Sequence, residues 1–422
     1  MAAQTRLFKN IGSVTIAGAI GGASSAVFWL IAARRFAVSE IGIAGLVASL
    51  AAVVNVLTSF GFIGAAIHNI SSRRGNGGLL LIGTSASALF SVLGSIVVAF
   101  GIYVIPGANP HELSIVKLCV VLSLLSGGAA MGGITDVVAA PLGNNWLAPF
   151  RNALMGVLRV ILVVALSSHA TALAISFAFA LPVIVTAGLS TLVFAIQMRH
   201  REPHYWPDHE QRQAYWTFSL HSLPSTVVMS ILPTAPPAIA VWIIGAKLGA
   251  VFYIDWNAFV LANLLIASAT VLGISPEVDH VKLVLTVRRI ALLCAAGMTL
   301  GGPVFLILYG HVYFTYGWIG IALLGLSLLP YSQEQLQVTS LRRVHAHGVT
   351  TRLTATLAIG CFAGLIVGGE LGSVWSMASG WLVATTGLLA IGTFLARRGT
   401  SVATWFPSLP VAGDSTPPTA LQ

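Results

Sequence analysis

Apolar runs of 20 or more residues follow one another along nearly the whole chain, separated only by short polar or turn-rich stretches. A helix needs about 20 mostly apolar residues to cross the hydrocarbon of a bilayer. Twelve runs meet that length, at roughly 11–33, 41–67, 78–105, 114–139, 146–168, 171–197, 215–245, 249–274, 289–309, 312–330, 353–369 and 371–395. Backbone polar groups cannot be left unbonded in lipid, so each run is predicted to be a helix. The pattern predicts an all-α polytopic membrane protein of about twelve transmembrane helices. The longest polar stretches, around 198–214 and 331–352, read as loops on one side of the membrane. Connections on the other side are only a few residues long. The end of the chain, with Pro407, Pro410, Pro417 and Pro418, reads as a disordered tail over 397–422. The first ten residues are short and basic, and the run behind them exceeds a signal-peptide core, so it is expected to be a retained first helix.

Composition agrees with this pattern and excludes other classes. Of the 422 residues 56 % are hydrophobic and only 8 % charged, against roughly 25 % charged in an average soluble domain. A soluble enzyme or a nucleic-acid-binding domain of this length would need far more polar surface. The net charge of +9 is therefore read as a set of topology determinants, with no nucleic-acid partner. Cys119, Cys294 and Cys361 lie inside apolar runs without metal-ligand spacing, so neither a metal nor a cofactor is expected. No G-x-x-x-x-G-K-[ST] phosphate loop is present, and the chain is not expected to hydrolyse ATP by that route.

The distribution of charge sets an orientation. With the N-terminus in the cytoplasm, 16 of the 21 basic residues fall on the cytoplasmic side. Arg34, Arg35, Lys117 and Lys247 remain outside and Arg159 lies within a span. That bias follows the positive-inside rule. Both termini are then cytoplasmic, in a cell inner (cytoplasmic) membrane.

Twelve spans divide six and six at the polar segment 199–213. The first and second spans, and the seventh and eighth, each form a helix, a very short outer turn and a second helix. Each half holds an even number of spans, so both halves insert in the same direction, as a parallel repeat. The expected organisation is a six-helix bundle over 1–198, a cytoplasmic linker over 199–213 and a second six-helix bundle over 214–396, around a central cavity.

Ala33-Arg34-Arg35-Phe36-Ala37-Val38-Ser39-Glu40-Ile41-Gly42 resembles the first hairpin of the polysaccharide flippases of the multidrug/oligosaccharidyl-lipid/polysaccharide exporter superfamily. Asn10-Ile11-Gly12, Ser59-Phe60-Gly61, the turn Gly245-Ala246-Lys247-Leu248-Gly249 and Ser275-Pro276-Glu277 are similar to the same family. The basic G-x-x-x-D-R loop of the major facilitators is absent after span two, where Ser71-Ser72-Arg73-Arg74-Gly75 stands. A departure from the flippase pattern is Lys247, with no arginine near the end of span seven. The resemblance implies ATP-independent flipping of an isoprenoid-pyrophosphate-linked sugar across the membrane, by a monomer whose partners are membrane lipid and the lipid-linked glycan. A cation-coupled exporter of small amphipathic molecules shares the fold. A membrane polysaccharide polymerase or glycosyltransferase is a third reading. It is disfavoured because the outer loops carry only scattered Glu112, His111, His169, Lys247, His311 and Glu370.

Charges in hydrocarbon are costly and therefore mark function. Arg159, eight residues beyond Arg151, lies about 12 Å farther along the helix, too deep to reach the cytoplasmic surface easily. With Arg34 or Arg35 it is the candidate anion site, since the planar guanidinium binds two phosphate oxygens at once. Snorkelling of Arg159 and interfacial anchoring of Arg34 and Arg35, with Glu40 as partner, are the alternatives. Asp136 and Arg151 fall at similar depth on antiparallel helices and are expected to form a structural ion pair. Asp255, read as the only acid well inside the second half's spans, is the candidate for coupling to protons or sodium; pairing with Lys247 is the alternative. Pro224, Pro233, Pro236 and Pro237 break span seven and make it a candidate hinge, because each removes a backbone donor.

Overall fold

A computed structural model of the chain describes residues 2–69, 76–104, 113–140, 142–169, 171–201, 206–272, 280–343 and 347–397. The described residues are helical apart from short turns. They form α1 (Ala2–Arg35), α2 (Val38–Asn69), α3 (Asn76–Val104), α4 (Ile115–Ala139), α5 (Leu147–Ala165), α6 (Ala172–Arg201), α7 (His209–Thr234), α8 (Pro236–Leu272), α9 (His280–Ala296), α10 (Gly302–Tyr309), α11 (His311–Arg343), α12 (His347–Gly369) and α13 (Val374–Arg397). A 3-10 turn, Leu166–Ser168, follows α5, and a π turn, Gly297–Gly301, joins α9 to α10.

Among the described residues, eleven helical stretches are long and apolar enough to cross a membrane. One of them, Ser230–Thr270, has 41 residues, about 60 Å of helix, twice the hydrocarbon thickness. Gly245 divides it: its φ of 79° and ψ of 168° lie outside the range side chains tolerate, and the chain reverses there. The second helix of this hairpin comes very close to α2, where a Cβ on Gly42 would run into the Ala246 carbonyl. The described residues therefore make twelve passes, those of a multi-pass all-α membrane protein. Both described chain ends lie on one face, the terminal face. The turns at Gly245, Gly310 and Gly372 lie on the other, the distal face.

Helix starts have local causes. Ser114 caps α4 by accepting from the Lys117 amide. Asp208 and Gln211 form a capping box on α7, satisfying amides that a helix N-terminus leaves unbonded. Pass nine carries a π turn that ends at Gly301, just before Gly302, one extra residue in a helical turn.

Burial separates central from peripheral helices. The window of α2 is 61 % buried, whereas those of α3 and α5 are 22 % and 17 % buried. Val97 and Phe100 on α3 and Leu293, Leu300 and Val304 on pass nine are widely exposed. Apolar exposure on this scale suits lipid and not water.

The main core joins the two halves of the chain: Phe28, Trp29 and Ile175 pack with Tyr253, Trp256, Phe259 and Trp381. Trp29 meets Tyr253 with ring centroids 4.7 Å apart. A second core holds Phe62, Leu79, Leu80, Ile134 and Phe194 around Tyr215. Tyr215 belongs to the terminal-face end of α7, so this end is packed into the first half, against α2 and α3. Its ring stacks on Phe62 at 5.9 Å, and its hydroxyl donates to the Phe62 carbonyl. Past the proline cluster, α8 runs between α2 of the first half and α11, α9 and α12 of the second.

Two boundaries differ from the sequence expectation. The stretch 331–352, read as a loop, is helical through Arg343 in α11. Its polar side chains face protein: Ser332 and Glu334 are buried, while Leu336 and Val338 continue the buried face of the helix. Span nine starts at His280 and not near 289. The segments with Arg73, Arg74, Pro276 and the tail from 398 lie outside the described residues.

Candidate functional site

Arg159 stands on α5, 5 % exposed, in the distal half of the membrane. Its Nε donates to the Phe179 carbonyl at 3.3 Å, and its guanidinium carbon lies 3.7 Å from the Phe179 ring centroid. A cation over an aromatic face is attracted by the ring quadrupole. Both contacts come from α6, in the turn that contains Pro182. Among the described residues no carboxylate pairs with Arg159.

Its next neighbour, Tyr253, comes from the other half. The Tyr253 hydroxyl on α8 interacts electrostatically with Arg159, Trp29 and Asn257. Trp29 Nε1 and Asn257 Nδ2 face that oxygen without completing a well-formed hydrogen bond. Donors of α1, α5 and α8 thus gather around a single phenol oxygen. Buried donors in excess of acceptors are costly, and an acceptor-rich ligand relieves that cost. A cavity of about 160 Å³ between α1, α8 and α10, lined by Ser25, Trp29, Asn257, Phe305 and Tyr309 among others, adjoins the cluster.

The two arginines at the end of α1 are placed differently. Arg34 donates through Nε to the Leu308 carbonyl at 2.7 Å and through Nη2 to the Ile307 carbonyl at 3.0 Å. It ties the end of α1 to the end of α10, where the last carbonyls lack helical partners. Arg35 is exposed. Glu40, considered as their partner, accepts from the Ala172 amide and so caps α6.

Arg151 and Asp136 meet at 2.7 Å, with side chains 13 % and 21 % exposed. Arg151 Nη2 also donates to Asn152 Oδ1, whose Nδ2 bonds the Ala17 carbonyl. The pair thereby staples α4, α5 and α1.

Asp255 is fully buried on α8, and neither oxygen has a hydrogen-bond partner. Its carboxylate lies against Gly317 and Gly320 of α11, where a Cβ on either would press on it. Lys247 does not reach it; its ammonium sits 5.7 Å from the centre of the Tyr316 ring. Asp255 is not the only buried acid of this half. Glu334 on α11 is 4 % exposed, with both oxygens unpartnered, beside Tyr331 and Cys361. The adjacent Gln335 donates to Asn263 on α8 at 2.8 Å. Reading 331–352 as a loop hid Glu334; the helical spacing of Leu324, Leu328 and Tyr331, all buried, is the signal that extends the helix to it. Among the described residues no group of three or more metal-ligating side chains occurs.

The proline region is a break between helices. α7 passes through Pro224 unbroken, and the side chains of Pro224 and His221 lie outside the described residues. α7 ends at Thr234, and α8 begins at Pro236. Pro237 has no N–H, so the Pro233 carbonyl loses its helical partner. The Trp256 indole supplies the missing donor at 2.8 Å.

No protein-family model and no curated protein matches the chain. Solved structures do. A MOP superfamily transporter from Pyrococcus furiosus, described as having a binding pocket of reversed polarity, matches with a TM-score of 0.60 at 14 % identity over 94 % of this chain and 96 % of that one. The inward-facing conformation of a multidrug resistance MATE transporter of the same superfamily gives 0.61 at 15 % identity, covering 96 % of each chain. An outward-facing one gives 0.61 at 14 %, over 93 % and 96 %. The chain is thus a polytopic all-α membrane protein with the fold of the MATE transporters of the MOP superfamily.

Proposed function

We propose that this chain is an alternating-access membrane transporter, not an enzyme, and that it flips an isoprenoid-pyrophosphate-linked oligosaccharide across the cytoplasmic membrane without ATP. The observation that carries the reading is Arg159: a buried cation with no carboxylate partner among the described residues, at the junction of the two halves, among further donors from Trp29 and Asn257. A buried charge without a partner is retained where a ligand supplies one. A pyrophosphate offers several acceptor oxygens and two or more negative charges, which suits this donor excess. The flippase-like hairpin around Arg34 and Arg35 supports the same cargo. The residues before 199 and those after 213 are read as two bundles, Pro233, Pro236 and Pro237 flex where α7, packed on the first bundle, gives way to α8, and both termini face the cytoplasm.

The assay is vesicle reconstitution with a fluorescent isoprenoid-pyrophosphate sugar, scored by accessibility to a membrane-impermeant quencher. Arg159→Ala is expected to insert and elute normally yet lose flipping, and Arg159→Lys to keep part of it, because a point charge replaces a planar fork. Normal flipping by Arg159→Ala would sink the assignment.

Asp255 and Glu334 favour a second reading in the same fold, a cation-coupled exporter of small amphipathic molecules. Two unpartnered buried carboxylates are suited to taking up a proton or sodium ion. Export of a lipophilic cation driven by an imposed gradient, with no movement of the lipid-linked sugar, would select it.

A further inference from the structure

Away from the junction of the halves, α4 and α6 leave a groove on the flank of the first half, near the distal face. It holds about 470 Å³, within the range of roughly 300–1,000 Å³ usual for small-molecule sites. Its walls are apolar over a helical turn on each side: Val116, Val120 and Val121 on α4, and Leu173, Ala174 and Phe177 on α6. Its head is polar, formed by Lys117, His169 and Thr171. We propose that this groove binds an anionic phospholipid, with the phosphate at Lys117 and His169 and an acyl chain between α4 and α6.

The polarity of the groove selects the occupant. A membrane-embedded partner helix would want apolar or small residues along its whole length. Here one end is cationic and the rest is hydrocarbon, which matches an amphiphile with an acidic head. Lys117 is exposed at the start of α4, at the depth of the headgroups. It is one of the few basic residues at this face. His169, in the groove lining, holds its Nδ1 against the Ser168 hydroxyl at 3.2 Å, and Nε2 is the ring nitrogen that this contact does not engage. Among the described residues, the acid Glu40 near this end of α6 is engaged by the Ala172 amide. The groove lining includes none of Arg159, Phe179, Trp29, Tyr253 and Asn257, so the site is distinct from the Arg159 cluster and does not depend on the transport reading.

The test is native mass spectrometry of the full chain in neutral detergent, with phosphatidylglycerol and phosphatidylcholine of identical acyl chains. The wild-type chain should retain phosphatidylglycerol about fivefold more than phosphatidylcholine, the effect of roughly one basic residue at a membrane surface. Lys117→Gln should erase the preference, Lys117→Arg should keep it, and Lys247→Gln, at the same face, should leave it intact. Val120→Trp, which fills the groove, should lower retention of both lipids. Inorganic phosphate should not compete, because the chain site is half of the binding. Equal retention of the two lipids by the wild-type chain, an unchanged preference in Lys117→Gln, or displacement by free phosphate would overturn the proposal.

Discussion

Asp136→Asn and Arg151→Gln test whether the α4–α5 staple holds the first half together. The two side chains meet at 2.7 Å and are only 13 % and 21 % exposed, so neither can reach bulk water fully when its partner is removed. Asp136 Oδ1 and Arg151 Nη1 already lack hydrogen-bond partners, so the direct contact carries most of the compensation. Removing one partner of a buried pair costs about 3–5 kcal/mol. The residual exposure, and the second acceptor that Asn152 offers Arg151, put the expected loss near the lower end, about 3 kcal/mol for each single change. The double change leaves two neutral amides that can bond each other. A coupling of about 1–3 kcal/mol is expected between them. The measurement is the midpoint of thermal unfolding of the four purified proteins in one detergent, followed by loss of the monodisperse elution peak. Both single variants should melt several degrees lower, and the double variant should lie above the sum of their losses. Losses that simply add would refute the pairing argument, because two independent polar sites show no coupling.

Asp255→Asn should abolish the acceleration of transport by an imposed proton or sodium gradient in vesicles while leaving equilibrium substrate binding near the wild-type level; an undiminished gradient response would remove Asp255 from coupling. Trp256→Phe should destabilise the chain by about 1–3 kcal/mol, the cost of an orphaned buried carbonyl. In a Pro237→Ala background, where residue 237 regains an N–H for the Pro233 carbonyl, the same change should cost less. An equal cost in both backgrounds would show that the indole acts through packing alone.

The passes were legible because lipid imposes one rule on every helix: about 20 apolar residues, with all backbone groups bonded within the segment. That rule identifies the helices but says little about their ends. α11 outruns its apolar stretch because Ser332 and Glu334 are covered by protein, and hydropathy cannot distinguish polar residues facing protein from polar residues facing water. Arg159 and Asp255 stood out as charges in apolar runs. Their surroundings did not, since Trp29, Phe179 and Tyr253 are ordinary aromatic residues until the folded helices bring them around one guanidinium. Nor could the sequence show that Arg34 bonds two backbone carbonyls more than 270 residues away. Backbone acceptors have no signature in a sequence, and only tertiary packing makes them partners.

The placement of Tyr215 bears on how the protein is made. A ribosome delivers the first six passes before α7 exists, and at that stage Phe62, Leu80 and Ile134 surround a space that nothing yet fills. The first half therefore cannot finish its packing while it is synthesised alone; it must wait, partly open within the bilayer, for the start of the seventh pass. Assembly of the two halves is coupled in time as well as in space. A gene cut between codons 199 and 213, to make the halves as separate polypeptides, would strand the tyrosine on the wrong fragment. A cut at the Gly245 turn would send it out with the six helices whose core it completes.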